Sequence, residues 1–97
     1  MIQEMQKKIL KMQVKRRFLK AFEEAVQDAT SDIRKLGNLD DNFTVSLMLQ
    51  SAIANTSQSL KEGFEGLQGN FDLSKSEILS LIDEATRETM NKYFESW

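Results

Sequence analysis

Apolar residues recur three or four positions apart in three stretches of the chain, which is the spacing of one face of an α-helix. The first stripe comprises Phe18, Phe22, Ala25, Val26, Ala29, Ile33 and Leu36, the second Val45, Met48, Leu49, Ala52, Ile53, Leu60, Phe64 and Leu67, and the third Ile78, Leu81, Ile82, Ala85, Thr89, Tyr93 and Trp97. This pattern predicts three amphipathic helices. The chain has no proline and only four glycines, which also disfavours a sheet that needs many turns.

Local signals mark where these helices begin and end. Gly37-Asn38 is expected to close a first helix that starts at Ile2. Asp40 or Asp41 can cap the second helix, and the glycine-bearing segment 63–70 is expected to form the next turn. Ser74-Lys75-Ser76-Glu77 has the spacing of a capping box for the third helix, with Leu73 and Ile78 placed as a hydrophobic staple. Because the loops are short, successive helices should be antiparallel.

The start of the first helix departs from this scheme. Its apolar residues Ile2, Met5, Ile9 and Met12 lie about 130° around the helix from the stripe that begins at Phe18. We therefore predict an all-α fold, with residues 16–97 as a three-helix antiparallel bundle and residues 1–15 as a protruding basic helical extension. A break in the helix near residues 13–17 and a frayed terminus with no partner are the alternatives.

The same segment carries most of the positive charge. Residues 1–20 have seven Lys and Arg side chains against one Glu, whereas residues 21–97 have six bases and fourteen acids. The basic patch consists of Lys7, Lys8, Lys11, Lys15, Arg16, Arg17 and Lys20. It could contact nucleic acid, lie on a membrane surface or bind an acidic protein surface. Nucleic acid is disfavoured because no aromatic residue precedes Phe18 to stack on bases.

The composition lacks several of the side chains on which catalytic and metal sites most often depend. The chain has neither histidine nor cysteine, so it lacks the commonest general base, the thiolate nucleophile and most transition-metal ligands. We therefore expect no catalysis, no metal site and no cofactor. A small domain without disulfides is expected in a reducing compartment such as the cytoplasm. The longest uncharged stretch, residues 42–60, is too polar to predict a transmembrane helix.

These observations predict a small interaction module that self-associates or binds an acidic partner through its first helix. The expected partner-binding residues are Ile2, Met5, Ile9 and Met12, supplemented by Phe43 and Leu47, which lie off the core face of the second helix. The alternative is an accessory protein that binds nucleic acid through residues 7–20. The sequence alone identifies neither the partner nor the pathway.

Overall fold

The computed structural model describes residues 2–36, 42–67 and 73–94, which contain three α-helices. They are α1, Ile2–Leu36; α2, Asn42–Leu67; and α3, Lys75–Phe94. The all-α prediction is confirmed, and α1 is one continuous helix with no break near residues 13–17. The predicted caps at residues 37–41, the turn residues 68–70, Trp97 and the side chains of Ile2, Phe64 and Leu67 lie outside the described part of the structure.

Each helix packs against the other two, and contacts between side chains show their directions. The contacts follow the same order along α1 and α3: Lys7 contacts Glu77, and the later residue Lys15 contacts the later residue Glu84. These two helices are therefore parallel. In contrast, α2 is antiparallel to α3, since Lys61 contacts Asp83 while the earlier residue Ser57 contacts the later residue Thr86. The molecule measures 54 × 28 × 17 Å, and a straight helix of 35 residues is about 52 Å long. Hence α1 spans the length of the bundle.

One hydrophobic core joins the three helices. Its buried members are Val14, Phe18, Phe22, Val26, Ile53, Leu73, Ile78, Leu81, Ile82 and Ala85. Phe22 and Ile82 have no exposed surface, and the predicted core residues Leu49, Leu60 and Tyr93 pack against this cluster while partly buried. The prediction was wrong at Leu36, which is 62% exposed: it is the last residue of α1, where the helix ends.

The start of α3 has the geometry that its sequence predicts. The Glu77 amide donates to Ser74 Oγ at 3.2 Å, and the Ser74 amide donates to Glu77 Oε1 at 3.2 Å. Leu73 and Ile78, on either side of this capping box, are both buried in the core. Local hydrogen bonds and packing therefore fix the first turn of α3 together. By comparison, α2 continues through Gly63 to Leu67, although a turn was expected to begin at Gly63.

We predict that Ile82→Ala lowers the free energy of unfolding by about 2–5 kcal/mol, because Ile82 is fully buried and its truncation leaves a cavity in the core. Chemical denaturation measures this difference. The control is Arg87→Ala, which changes an exposed side chain on the same helix and should alter the free energy by less than about 0.5 kcal/mol. Equal stability of the Ile82→Ala variant and the wild type would contradict this assignment of the core.

Candidate protein-interaction surface

Three lysines on one side of α1 fix its first turns to α3. Lys7 Nζ and Lys11 Nζ both contact Glu77 Oε2, at 3.0 and 3.2 Å. One helical turn further along, Lys15 Nζ contacts Glu84 at 3.7 Å and also Glu88. These lysines occupy i, i+4 and i+8 positions, so they form a row that faces one neighbouring helix. The basic segment is thus attached to α3 by ion pairs, although its apolar stripe has no place in the bundle core.

Glu77 joins this ionic row to the capping box. Its Oε1 accepts the hydrogen bond from the Ser74 amide, while its Oε2 receives the two lysines. The Lys7 ammonium, the hydrogen bonds with Ser74 and the Lys11 ammonium lower the pKa of the Glu77 carboxyl from 4.5 to about 2. On the other side, the hydrogen bond to Glu88, with Glu84 nearby, raises the pKa of the Lys15 ammonium above its ordinary value. The Glu77 carboxylate and the Lys15 ammonium are therefore charged at neutral pH.

The ionic row leaves the apolar stripe of α1 on the outside of the molecule. Met5, Ile9 and Met12 are 66%, 53% and 55% exposed. They follow one another at i, i+4 and i+7, so they form one continuous patch. We call these three residues the α1 stripe. The side chain of Ile2, the fourth predicted member, lies outside the described side chains.

An open groove of about 420 Å³ runs between α1 and α3 directly beside the α1 stripe. It is lined by Lys8, Lys11, Met12, Lys15, Ser76, Glu77, Ser80, Leu81 and Glu84. Met12 belongs to both features, so the stripe and the groove form one surface. On the α3 side, the exposed side chains of Ser76 and Ser80 are small and leave the groove open.

The other predicted site residues do not join this surface. Phe43 and Leu47 are 69% and 46% exposed, but they lie near the start of α2. Since α2 begins close to where α1 ends, these two residues are at the end of the bundle opposite the α1 stripe. The seven basic residues are also divided. Lys7, Lys11 and Lys15 contact α3, whereas no carboxylate within the described ranges pairs with Lys8, Arg16, Arg17 or Lys20.

Sequence reasoning missed two features of this region. Val14 is 2% exposed and extends the core one turn towards the start of α1, although the predicted core stripe began at Phe18. The second is Glu77, which was interpreted only as a capping residue and is also the acceptor for two lysines. The available signal was the spacing of Lys7, Lys11 and Lys15, which places three lysines on one face of the helix.

Comparisons with known proteins do not identify a function. The chain matches no protein-family model, no curated protein and no solved structure. Within residues 2–36, 42–67 and 73–94, no helix has the length and apolar character to cross a membrane, and no cluster of acidic side chains could hold a metal ion. The exposed stripe beside the groove is the candidate functional site because Met5, Ile9 and Met12 form a contiguous exposed apolar patch.

We predict that Glu77→Gln lowers the melting temperature at neutral pH and makes the melting temperature less sensitive to a fall in pH. The folded pKa of Glu77 is about 2 against an ordinary value of 4.5. Its stabilising contribution is therefore complete above pH 4.5 and is lost as the pH falls towards 2. Thermal unfolding followed by circular dichroism should show a difference between wild type and variant that shrinks across this range.

The matched control for this prediction is Glu24→Gln. Glu24 is exposed on α1, and it has no ion-pair partner among the described residues. This substitution should change the melting temperature little at any pH. If Glu77→Gln lowered the melting temperature equally at pH 2 and pH 7, the ionic role assigned to Glu77 would be wrong.

Proposed function

We propose that the protein is a non-catalytic interaction module that self-associates through the α1 stripe. The observation that carries this proposal is that the first turns of α1 have a lysine face and an apolar face on opposite sides of the helix. The lysine face is held against α3 by ion pairs, while Met5, Ile9 and Met12 point outward and are each more than half exposed. The helix cannot turn this stripe inward without separating Lys7 and Lys11 from Glu77.

The exposure of this stripe favours a partner. Single exposed apolar residues are ordinary on protein surfaces, but a contiguous patch is typical of an interaction site. Covering three large apolar side chains removes them from water, at about 25 cal/mol for each Å² of apolar surface. Because α1 is already folded along its length, binding would not require the helix to be ordered first.

A protein partner suits the stripe better than a lipid surface. Membrane-surface helices usually bury aromatic residues together with a broad apolar face, whereas this stripe consists of two methionines and one isoleucine. Methionine is flexible and fits irregular apolar surfaces in protein partners. The absence of cysteine from the chain supports the further proposal that the protein works in a reducing compartment such as the cytoplasm.

The test is the molecular mass in solution, measured by light scattering over a range of concentrations. We expect the wild type to be larger than 11.2 kDa, and Ile9→Glu with Met12→Glu to reduce the mass because it places charge on the stripe. The helicity should persist, since neither residue belongs to the core.

The matched control is Leu36→Glu, which changes an exposed apolar residue at the other end of α1. It should leave the mass of the assembly unchanged. A wild-type protein that remains monomeric at high concentration would contradict self-association, and the stripe would then be open to a different protein.

Nucleic-acid binding is the alternative function, and the structure reduces the charge available for it. Three of the seven basic side chains already face carboxylates of α3, so only Lys8, Arg16, Arg17 and Lys20 could neutralise phosphates without breaking an ion pair. We predict no salt-sensitive retardation of DNA or RNA by micromolar protein. Retardation that weakens steeply with salt, and less steeply in an Arg16→Glu variant, would favour the alternative.

A further inference from the structure

We infer that the partner is a second copy whose α1 stripe lies in the groove between α1 and α3, so that each copy covers the stripe of the other. This inference rests on the proposed self-association and specifies its geometry. A stable specific interface takes about 800 Å² and roughly 20 residues from each partner. Three stripe residues alone fall well short, whereas the groove adds the adjoining surface of α3.

Symmetry explains how one contact can cover both stripes. Met12 belongs to both the stripe and the groove, so the two features adjoin along α1. A two-fold axis parallel to the helices places α1 of each copy over α3 of the other, with all four helices pointing the same way. Both apolar patches are then buried by one closed, isologous contact. This arrangement gives a dimer and leaves no open end for further addition.

The ion pairs within one protomer show which residues of α1 and α3 lie at the same height along the bundle axis, that is, at the same level. Lys11 lies level with Glu77 and Lys15 with Glu84, so Met12 lies level with Ser80, between these two carboxylates. Rotation about an axis parallel to the helices preserves these levels. Met12 of one copy therefore meets Ser80 of the other. A serine at this position leaves room for the longer methionine side chain.

Charge favours this parallel arrangement. Lys15 contacts both Glu84 and Glu88, whose side chains are 54% and 51% exposed, so two carboxylates of α3 share one lysine of α1. Arg16 follows Met12 by one turn on the outward face and has no carboxylate partner among the described residues. In the proposed dimer it lies level with Glu84 and Glu88 of the other copy.

Single cysteines test this geometry cleanly because the chain contains none. Met12→Cys protein mixed with Ser80→Cys protein should form a disulfide-linked heterodimer under mild oxidation. Mixing the two variants prevents a disulfide within one chain. Ile9→Cys alone serves as the control, since in this geometry each Ile9 faces the partner's α3. It should form few linked dimers.

A second experiment uses charge. We expect Arg16→Glu to weaken the dimer Kd roughly tenfold, and Glu84→Lys in the same chain to restore much of that loss. Arg17→Glu is the matched control, because Arg17 is exposed about 100° away around α1. It should change the Kd by about twofold or less. The melting temperature of each variant shows whether it is folded.

The outcomes separate the groove from self-association itself. A dimer that Ile9→Glu and Met12→Glu dissociate, but that cross-links through Ile9→Cys and not between Met12→Cys and Ser80→Cys, would overturn the groove geometry and retain the proposed function. Equal effects of Arg16→Glu and Arg17→Glu would also overturn it. A monomeric wild type would overturn both proposals.

Discussion

The contact of Lys7 and Lys11 with the single carboxylate of Glu77 is the constraint on which the arrangement of α1 depends. Residues 4–9 of α1 are all exposed, so this contact is what attaches the first turns of the helix to α3. Exposed ion pairs are individually weak, typically below about 1 kcal/mol. This carboxylate, however, is held in place by the Ser74 amide as well. The same group therefore caps one helix and positions another.

This dual role links local sequence to tertiary structure. The capping box depends on residues three positions apart and forms within one turn of α3. The ion pairs join residues about 70 positions apart along the chain. Because the capping box already restrains the carboxylate, the long-range contact loses less side-chain freedom than an ordinary surface pair. The row from Lys7 to Lys15 then sets the level of α1 against α3.

Much of the fold could be predicted from the pattern of residues. The capping box, the staple at Leu73 and Ile78, and the stripe of α3 are local signals, and the structure has each of them. The orientation of residues 2–15 could not be derived in the same way. A hydrophobic stripe shows which face prefers to be buried, but the outcome at Met5 and Ile9 depended on whether the opposite face had carboxylates within reach. That information lies in α3 and requires knowledge of the packing.

The groove was equally hidden from the sequence, for a related physical reason. Ser76 and Ser80 read as ordinary polar surface positions, and only their placement beside Met12 makes them a recess. Val14 shows the same limit: its position between two stripes left its environment ambiguous until the neighbouring helices were placed. Whether a residue at the boundary of two helix faces is buried depends on its tertiary contacts.

The hydroxyl pair between Ser57 and Thr86, with oxygens 3.1 Å apart, has a consequence for how the surface would bind. Apolar side chains tolerate sliding between helices, but a hydrogen bond at a helix interface selects one alignment. On its other side α3 is aligned by carboxylates that contact α1. Polar contacts with both neighbouring helices therefore fix the position of α3 along the bundle. The groove is therefore preorganised, and an incoming helix would meet a rigid wall whose shape need not be assembled during binding.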